Sequence, residues 1–281
     1  CLENFAIHQL WQKFLKITRE FFESRGLQSV DTPSLVECPG IEDYLEPFAT
    51  EFEKGSQKRR LFLPTSPELH LKKALVAGLT DIYEITRCYR NGEHGAHHEP
   101  EFWMLEWYRA YADLSLIRED LVELVRSLIF RFDPGADAFE PQDVTVAELF
   151  QRCLKFDLKP QTTRQELLEL ARSFHIDVPE SASWSDAFFL IFLQKIEPTL
   201  QTGAYFVWNY PPQLAALSLI REDGWADRFE FYWQGLEISN AFHELTDPIE
   251  QRRRFVAINR ARKDRGQKPI PLDEEFHASL E

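Results

Sequence analysis

Apolar residues recur at helical spacing from about Phe5 to Ser24. Ile7, Leu10, Phe14, Ile17 and Phe21 share one stripe, which predicts an amphipathic helix. Arg25-Gly26 ends it, with glycine just past the last turn. The run Leu27 to Val30 predicts a short strand that stops at Asp31-Thr32-Pro33, because proline has no N–H to give to a ladder. Phe48 to Phe52 and Arg60 to Leu63 predict two further strands about a polar turn centred on Lys54-Gly55-Ser56. Thr65-Ser66-Pro67-Glu68 reads as a helix start: Ser66 caps, Pro67 sits in the first turn, Leu69 to Ala77 form the body and Gly78 closes it. Asp81 to Tyr89 predicts a strand, Arg90 to Pro100 a polar loop rich in His and Gly, and Glu101 to Tyr111 a strand with large apolar residues. Together these make an antiparallel hairpin with an oversized loop, and loops of that length are usually functional or disordered.

Leu114 to Arg131 is a predicted helix. Residues 133–202 read as mostly helical without clear chemistry, and are expected to be an insertion. Tyr205 to Tyr210 and Phe229 to Trp233 are strand-like, and Pro248 to Asp264 is a charged helix. No internal repeat or low-complexity segment is present. Helices mixed with hairpin-linked strands point to an α+β fold, an antiparallel sheet flanked by helices with a mostly helical insertion, and not to a doubly wound parallel sheet.

Composition narrows the class. A chain of 281 residues with 44% apolar content can bury a large core, as one large domain or as one domain with a sizeable insertion. It has no run of about 18 apolar residues, which argues against a helical membrane span. The opening Cys1-Leu2-Glu3-Asn4 is neither an initiator Met nor a signal peptide and reads as a trimmed start. The cysteines Cys1, Cys38, Cys88 and Cys153 are scattered, with no C-x-x-C pair. Zinc is therefore disfavoured, and reduced thiols in a cytoplasmic protein are expected. A formal net charge of -14 gains nothing from nonspecific counterion release on nucleic acid. A polyanionic partner would have to meet a local basic patch, either Lys54 with Lys58, Arg59 and Arg60 or the run Arg252 to Lys268. Each run taken alone reads more simply as a solvated face.

Three segments carry candidate chemistry. The first is Arg25 to Pro33. The second joins Arg87-Cys88-Tyr89-Arg90-Asn91-Gly92-Glu93 to His97-His98-Glu99-Pro100-Glu101-Phe102 and Leu105-Glu106-Trp107-Tyr108. The third is Glu230 with Gly235-Leu236-Glu237-Ile238-Ser239-Asn240-Ala241-Phe242-His243-Glu244-Leu245. Each has a plain reading in isolation. Arg25 to Pro33 could be a helix–strand corner, Arg90 with Glu93 a loop ion pair, His97 and His98 loop residues, Phe102 core, and the three glutamates solvated strand ends. Together they resemble the lysyl-tRNA synthetases and their free-standing paralogues, over roughly Phe5 to Arg131 and Tyr205 to Leu280. The first segment resembles class II motif 1, a dimer-forming element, the second the ATP-holding motif 2 hairpin, and the third the segment before motif 3.

The resemblance implies an ATP-dependent, AMP-forming ligase whose cofactors are ATP and Mg²⁺. Activation brings a carboxylate onto the α-phosphate of ATP, so two anions must be held beside a fixed cation. Arg90 is the expected catalytic cation, suited by its planar fork. Phe102 is the expected adenine platform, His98 the γ-phosphate contact, and Glu93 and Glu237 further ATP contacts. Glu106 and Tyr108 lie two apart on a strand and so share a face. The resemblance assigns Glu106 to the substrate α-amino group and Tyr108 to its side-chain amine. Ser66 and Glu68 join the amino-acid site, as does Asn240, and Glu244 is set against the ε-ammonium, the physical basis for selecting lysine over neutral side chains. Glu230 in a strand-rich core would be costly to bury without a partner. A magnesium ion shared by Glu230 and Glu237 with phosphate oxygens is the expected one.

The match departs in three places. Gly92 stands where the synthetases have Glu, with Glu93 one position later; Glu99 stands where Asn is common; and the chain stops before the glycine-rich motif 3. The expectation is therefore a catalytic domain spanning 1–281 and truncated before motif 3. Thr65-Ser66-Pro67-Glu68, Met104-Leu105-Glu106-Trp107-Tyr108-Arg109 and Phe242-His243-Glu244-Leu245-Thr246-Asp247 look most like the free-standing branch, whose acceptor is a lysine of elongation factor P. That branch implies lysine or β-lysine as substrate, elongation factor P as protein partner, a homodimer, and no tRNA or membrane partner. The alternatives are a lysyl-tRNA synthetase catalytic fragment and a non-catalytic paralogue that only binds.

Overall fold

The computed structural model describes residues 2–40, 42–95 and 97–279. The expected reduced thiol at Cys1 lies outside the described residues, while Cys38, Cys88 and Cys153 are free. The chain divides into two units: residues 1–112 joined by 246–281, and residues 113–245.

In the first unit, helix α1 spans Leu2–Ser24. Its buried face is Leu15, Ile17, Thr18 and Phe22, whereas Ile7 and Leu10 of the predicted stripe are 63% and 53% exposed. Gly26 ends the helix at φ 83°, a left-handed backbone that glycine adopts without strain. Strand β1 (Gln28–Ser29) is shorter than predicted and runs parallel to β4 (Asp81–Tyr89). β5 (Glu101–Arg109) closes the sheet antiparallel to β4, giving the order β1-β4-β5. Strands β2 (Ala49–Lys54) and β3 (Gln57–Phe62) form a separate hairpin around Gly55-Ser56, and only Leu61 and Phe62 of the pair are buried.

Helix α2 is Glu68–Val76. Pro67 takes the cap position, one residue later than the expected Ser66. The Ser66 hydroxyl accepts from the Glu68 N–H at 3.0 Å instead of capping a deeper turn. Helix α7 (Pro248–Asp264), capped by Asp247, and the short α8 (Glu274–Ser279) complete the unit.

The second unit opens with α3 (Leu114–Phe132), capped by the Asp113 carboxylate. β6 (Gln142–Thr145) follows, then helices α4 (Val146–Leu154), α5 (Arg164–Ser173) and α6 (Trp184–Ile191). α4, α5 and α6 each begin with a capping box, at Thr145, Thr163 and Ser183. α6 runs on as a π-helical turn, Phe192–Ile196, and a 3-10 turn, Glu197–Leu200. β7 (Ala204–Tyr210), β8 (Ala226–Trp233) and β9 (Leu236–Phe242) join β6 in the order β6-β7-β8-β9.

Residues 133–202 are mostly helical, but they also supply the edge strand β6. Their apolar side chains, including Phe150, Leu167, Phe188 and Phe192, share one core with Val207, Tyr210, Ala226 and Tyr232 of the sheet. The sheets are mainly antiparallel; β1 with β4 and β6 with β7 are parallel. Both parallel partners are reached through intervening helix, the crossover that parallel pairing requires. No helix among the described residues is long and apolar enough to cross a membrane.

Candidate active site

Strand alternation divides the β4–β5 hairpin into two faces. Tyr83, Trp103 and Trp107 lie on one, where Phe22 of α1 stacks on Tyr83 at 5.0 Å and approaches Trp107 at 5.4 Å, and Trp11 approaches Trp103 at 5.7 Å. This aromatic layer fixes the hairpin to α1 and leaves the opposite face for chemistry. That face carries Phe102, Met104, Glu106 and Tyr108, opposed in register by Cys88, Thr86, Glu84 and Ile82.

Glu106 is the centre of a tight polar group. The Tyr108 hydroxyl donates to Oε1 at 2.6 Å and the Ser66 hydroxyl to Oε2 at 2.8 Å. Ser66 in turn accepts from the Glu68 N–H, and the Glu68 carboxylate is bound by Lys72 Nζ at 2.5 Å. The four predicted residues Ser66, Glu68, Glu106 and Tyr108 are thus brought together. Burial, then the neighbouring charge of Glu68, pushes the Glu106 carboxyl up to about 7, against hydrogen bonds from Tyr108 and Ser66 that lower it. Lys72, with a side chain only 7% exposed, was missed in the sequence. Its signal was the Glu-Lys pair at i, i+4 on a helix.

Arg90 follows β4. Its N–H donates to the Pro100 carbonyl at 3.0 Å, which closes the mouth of the loop. The guanidinium lies over the Phe102 ring at 5.0 Å, with Glu93 at 3.9 Å. Its Nε is buried without a hydrogen bond. A cation fixed on an aromatic platform, with donor capacity left over, suits a nucleotide anion. Gly92 has φ 85°, so the departure from the family's Glu falls at a left-handed position that a side chain would strain. Glu99, the second departure, is 3.9 Å from His94. His98 is exposed, and its carbonyl accepts from Gly95 N–H at 3.0 Å.

The remaining predicted residues lie in the second unit. Arg228, Glu230 and Tyr232 alternate onto one face of β8, with Asn240 of β9 opposite Glu230 and Glu237 opposite Tyr232. Glu230 is 6% exposed. The Tyr210 and Tyr232 hydroxyls donate to its Oε2 at 2.5 and 2.8 Å, and Arg228 donates to Oε1. Arg228 also donates to Asn240 Oδ1 at 2.9 Å and to the Leu214 carbonyl at 2.7 Å. The burial of Glu230 thus has protein partners of its own, and does not by itself call for a metal ion. One guanidinium and two phenols meet its carboxylate, while burial first and the Glu230 charge second push both tyrosines above their ordinary range. Arg228, the hub of this group, was missed, although its i, i+2 spacing from Glu230 was visible. Glu237 and Asn240 are exposed on β9. Glu244 is half-buried beyond β9, in a one-residue bridge with Ser218. Among the described residues no group of three or more His, Cys, Asp or Glu is set to hold a metal. A magnesium site made of phosphate oxygens with one or two carboxylates is not such a group.

The basic runs are largely internal. Lys58 pairs with Glu51 and Glu53 at 2.7 and 2.6 Å, and Arg59 with Glu37 at 2.7 Å. Arg252 grips Glu274 at 2.6 and 2.8 Å, Arg253 and Arg254 share Glu250, and Arg265 binds Asp43. Arg262 is fully buried. The exposed cations of that run with no such partner in these pairs are Arg260, Lys263 and Lys268.

A hairpin that combines an arginine, an aromatic platform and a buried carboxylate suits the activation of an amino acid by a nucleotide. Residues 3–276 match the model of the class II tRNA synthetases (D, K and N), and the chain belongs to that family. Among its relatives, the elongation factor P–(R)-beta-lysine ligase of Mannheimia succiniciproducens is 36% identical over 274 residues, 96% of this chain and 82% of that one. The proteins of the same name from Edwardsiella ictaluri and Haemophilus influenzae are 35% and 34% identical, over 95% and 96% of this chain and 82% of each relative.

Proposed function

We propose that this chain activates a lysine-type amino acid, (R)-β-lysine foremost, with ATP, and transfers it to a lysine of elongation factor P. The observation that carries the reading is the Glu106 group: a carboxylate raised to about 7 and gripped by Ser66 and Tyr108, in a chain matched almost end to end by ligases of that name. A substrate ammonium supplies the cation that this carboxylate needs in order to ionise.

In the first step an oxygen of the amino-acid carboxylate attacks the α-phosphorus. The bond to the bridging oxygen breaks, and pyrophosphate leaves with the electron pair. Arg90 offsets the charge where the two anions meet, and Phe102 carries the adenine. Magnesium, when bound, neutralises phosphate oxygens. Glu230 and Glu237, on neighbouring strands of one sheet, are the carboxylates that would hold it, with Arg228, Tyr210 and Tyr232 orienting Glu230. Glu93 and His98 serve the phosphates, and Asn240 and Glu244 serve the amino acid, with Glu244 toward the side-chain ammonium. In the second step the ε-amine of the acceptor lysine attacks the adenylate carbonyl. The carbonyl–oxygen bond to AMP breaks, and the amine sheds a proton. No side chain of the enzyme is a nucleophile; positioning and charge neutralisation carry the rate.

The reading includes a cytoplasmic homodimer formed through α1 and Pro33. The exposed Phe5, Ile7 and Leu10 of α1 support that dimer. The test incubates the full-length protein with ATP, labelled lysine or (R)-β-lysine, elongation factor P and bulk tRNA. Label on the factor and none on tRNA is the expected result. The family description favours one competitor, tRNA charging. Label on tRNA alone would establish it, and failure of ATP–pyrophosphate exchange would reduce the chain to a binding module.

A further inference from the structure

We infer that Arg262 is a positioning residue for ATP, acting by fixing the start of the loop that carries Arg90. In the sequence it belongs to a basic run on a charged helix, yet in the fold it is completely buried. A buried guanidinium is tolerated only where its donors are met. Here Nη1 donates to the Leu45 carbonyl at 2.5 Å and the Glu42 carbonyl at 3.3 Å. Nη2 donates to Glu46 Oε2 at 2.5 Å, and Nε to the Lys268 carbonyl at 3.4 Å. Three of the four acceptors belong to the short segment 42–46. Arg265, one turn on, adds the Asp43 carbonyl and carboxylate at 2.5 Å and lies over Tyr44 at 4.9 Å. Two arginines at the end of α7 therefore determine where an irregular segment runs.

That segment touches the chemistry through one bond. The Asn91 N–H donates to the Glu46 carbonyl at 2.7 Å, an isolated antiparallel bridge. Asn91 follows Arg90 directly, and the Arg90 N–H is held on the other side by Pro100. Among the described residues the guanidinium of Arg90 itself has the Phe102 ring and a 3.9 Å approach from Glu93 to orient it. Its aim therefore depends on where its backbone is held, and the Glu46–Asn91 bridge is the outer anchor. Glu46 joins the two halves: its side chain binds Arg262 and its carbonyl binds Asn91. Arg262 touches no substrate; it works through Glu46.

The inference rests on the reading of Arg90 as an ATP ligand, and the experiment separates the two. ATP–pyrophosphate exchange by the wild-type full-length protein tests the reading. Against that baseline, Arg262→Lys keeps the charge but cannot span four acceptors. The expected result is a rise of about five- to tenfold in KM for ATP with KM for the amino acid unchanged, because Ser66 and Tyr108, which hold Glu106, lie outside segment 42–46. In an Arg90→Lys background the further effect of Arg262→Lys should largely vanish, since both changes act on one guanidinium. Should Arg262→Lys not fold, Glu46→Gln, which loses the ion pair and keeps the backbone bridge, is expected to show the same split on a smaller scale. An unchanged KM for ATP in a folded variant, an equal rise in both KM values, or full additivity with Arg90→Lys overturns the inference while exchange by the wild type leaves the reading standing. A wild-type protein without exchange overturns the reading first, and the inference with it.

Discussion

Amino-acid affinity should depend on pH through Glu106. Its carboxyl titrates at about 7 in the free protein, so at pH 7 roughly half the molecules hold it as the neutral acid. A substrate ammonium is drawn to the ionised form only. Affinity should therefore rise as pH increases through 7 and level off near pH 8.5, while the amine keeps its proton. At pH 6 only about one molecule in ten has the carboxylate ready, so the dissociation constant there should be about tenfold weaker than at the plateau. Calorimetric titration with lysine or (R)-β-lysine across this range measures the slope. At pH 7, binding should also release roughly half a proton, visible as a dependence on buffer ionisation enthalpy. Glu106→Gln should abolish the slope and weaken plateau binding by roughly 1.5–3 kcal/mol. The same shift has a stability signature. The folded state holds the proton between the ordinary 4.5 and about 7, so this group's contribution to stability falls as pH rises across that window, by on the order of 3 kcal/mol. Glu106→Gln should accordingly gain melting temperature at pH 8 relative to pH 5. An affinity that is flat from pH 6 to 8, or a slope that survives in Glu106→Gln, would refute the reasoning.

Four further outcomes are expected. Arg228→Leu leaves Glu230 buried without its cation and should destabilise the fold by about 3–5 kcal/mol; an unchanged urea midpoint would contradict the network. Glu244→Gln should lose roughly 1.5–3 kcal/mol of lysine affinity with unaltered circular dichroism, and equal affinity would remove Glu244 from the site. Reversing Arg260, Lys263 and Lys268 to Glu should slow transfer to elongation factor P and leave pyrophosphate exchange intact, because exposed charges govern encounter more than chemistry. Arg252, Arg253 and Arg254 are unsuitable for that test, since their partners are Glu274 and Glu250 within the fold. Light scattering of the full-length protein should give a dimer mass at micromolar concentration, and a strict monomer would exclude the α1 interface.

Local pattern made much of this structure legible. The α7 boundaries, Pro248 to Asp264, follow from a proline start and a charged body, and β4 follows from its turn residues. Glu106 and Tyr108 share a face by strand alternation, and Ser66, which lies before α2 and outside the hairpin, was joined to them through the family resemblance alone. Pairings set by distant chain were not legible. Arg262 reads as one more surface cation until residue 46 is seen beside it, and the half-buried sheet arginine Arg228 gives no local sign that Asn240 and Leu214 await it. Burial of Glu230 was anticipated correctly in kind, but its partner was assigned to a ligand because two tyrosines separated along the chain cannot be placed together by spacing. The parallel strands β1 and β6 are too short for alternation to register.

The first unit is assembled from two stretches of chain, and Arg262 comes from the later one, 216 residues after the Glu46 that it grips. On a ribosome adding about 5–20 residues per second, roughly 10–40 s separate the two. During that interval the β4–β5 hairpin and then the whole second unit are synthesised before the clamp arrives. Segment 42–46 therefore waits for a helix made long after it, and the bridge from Glu46 to Asn91 is at first available without the clamp.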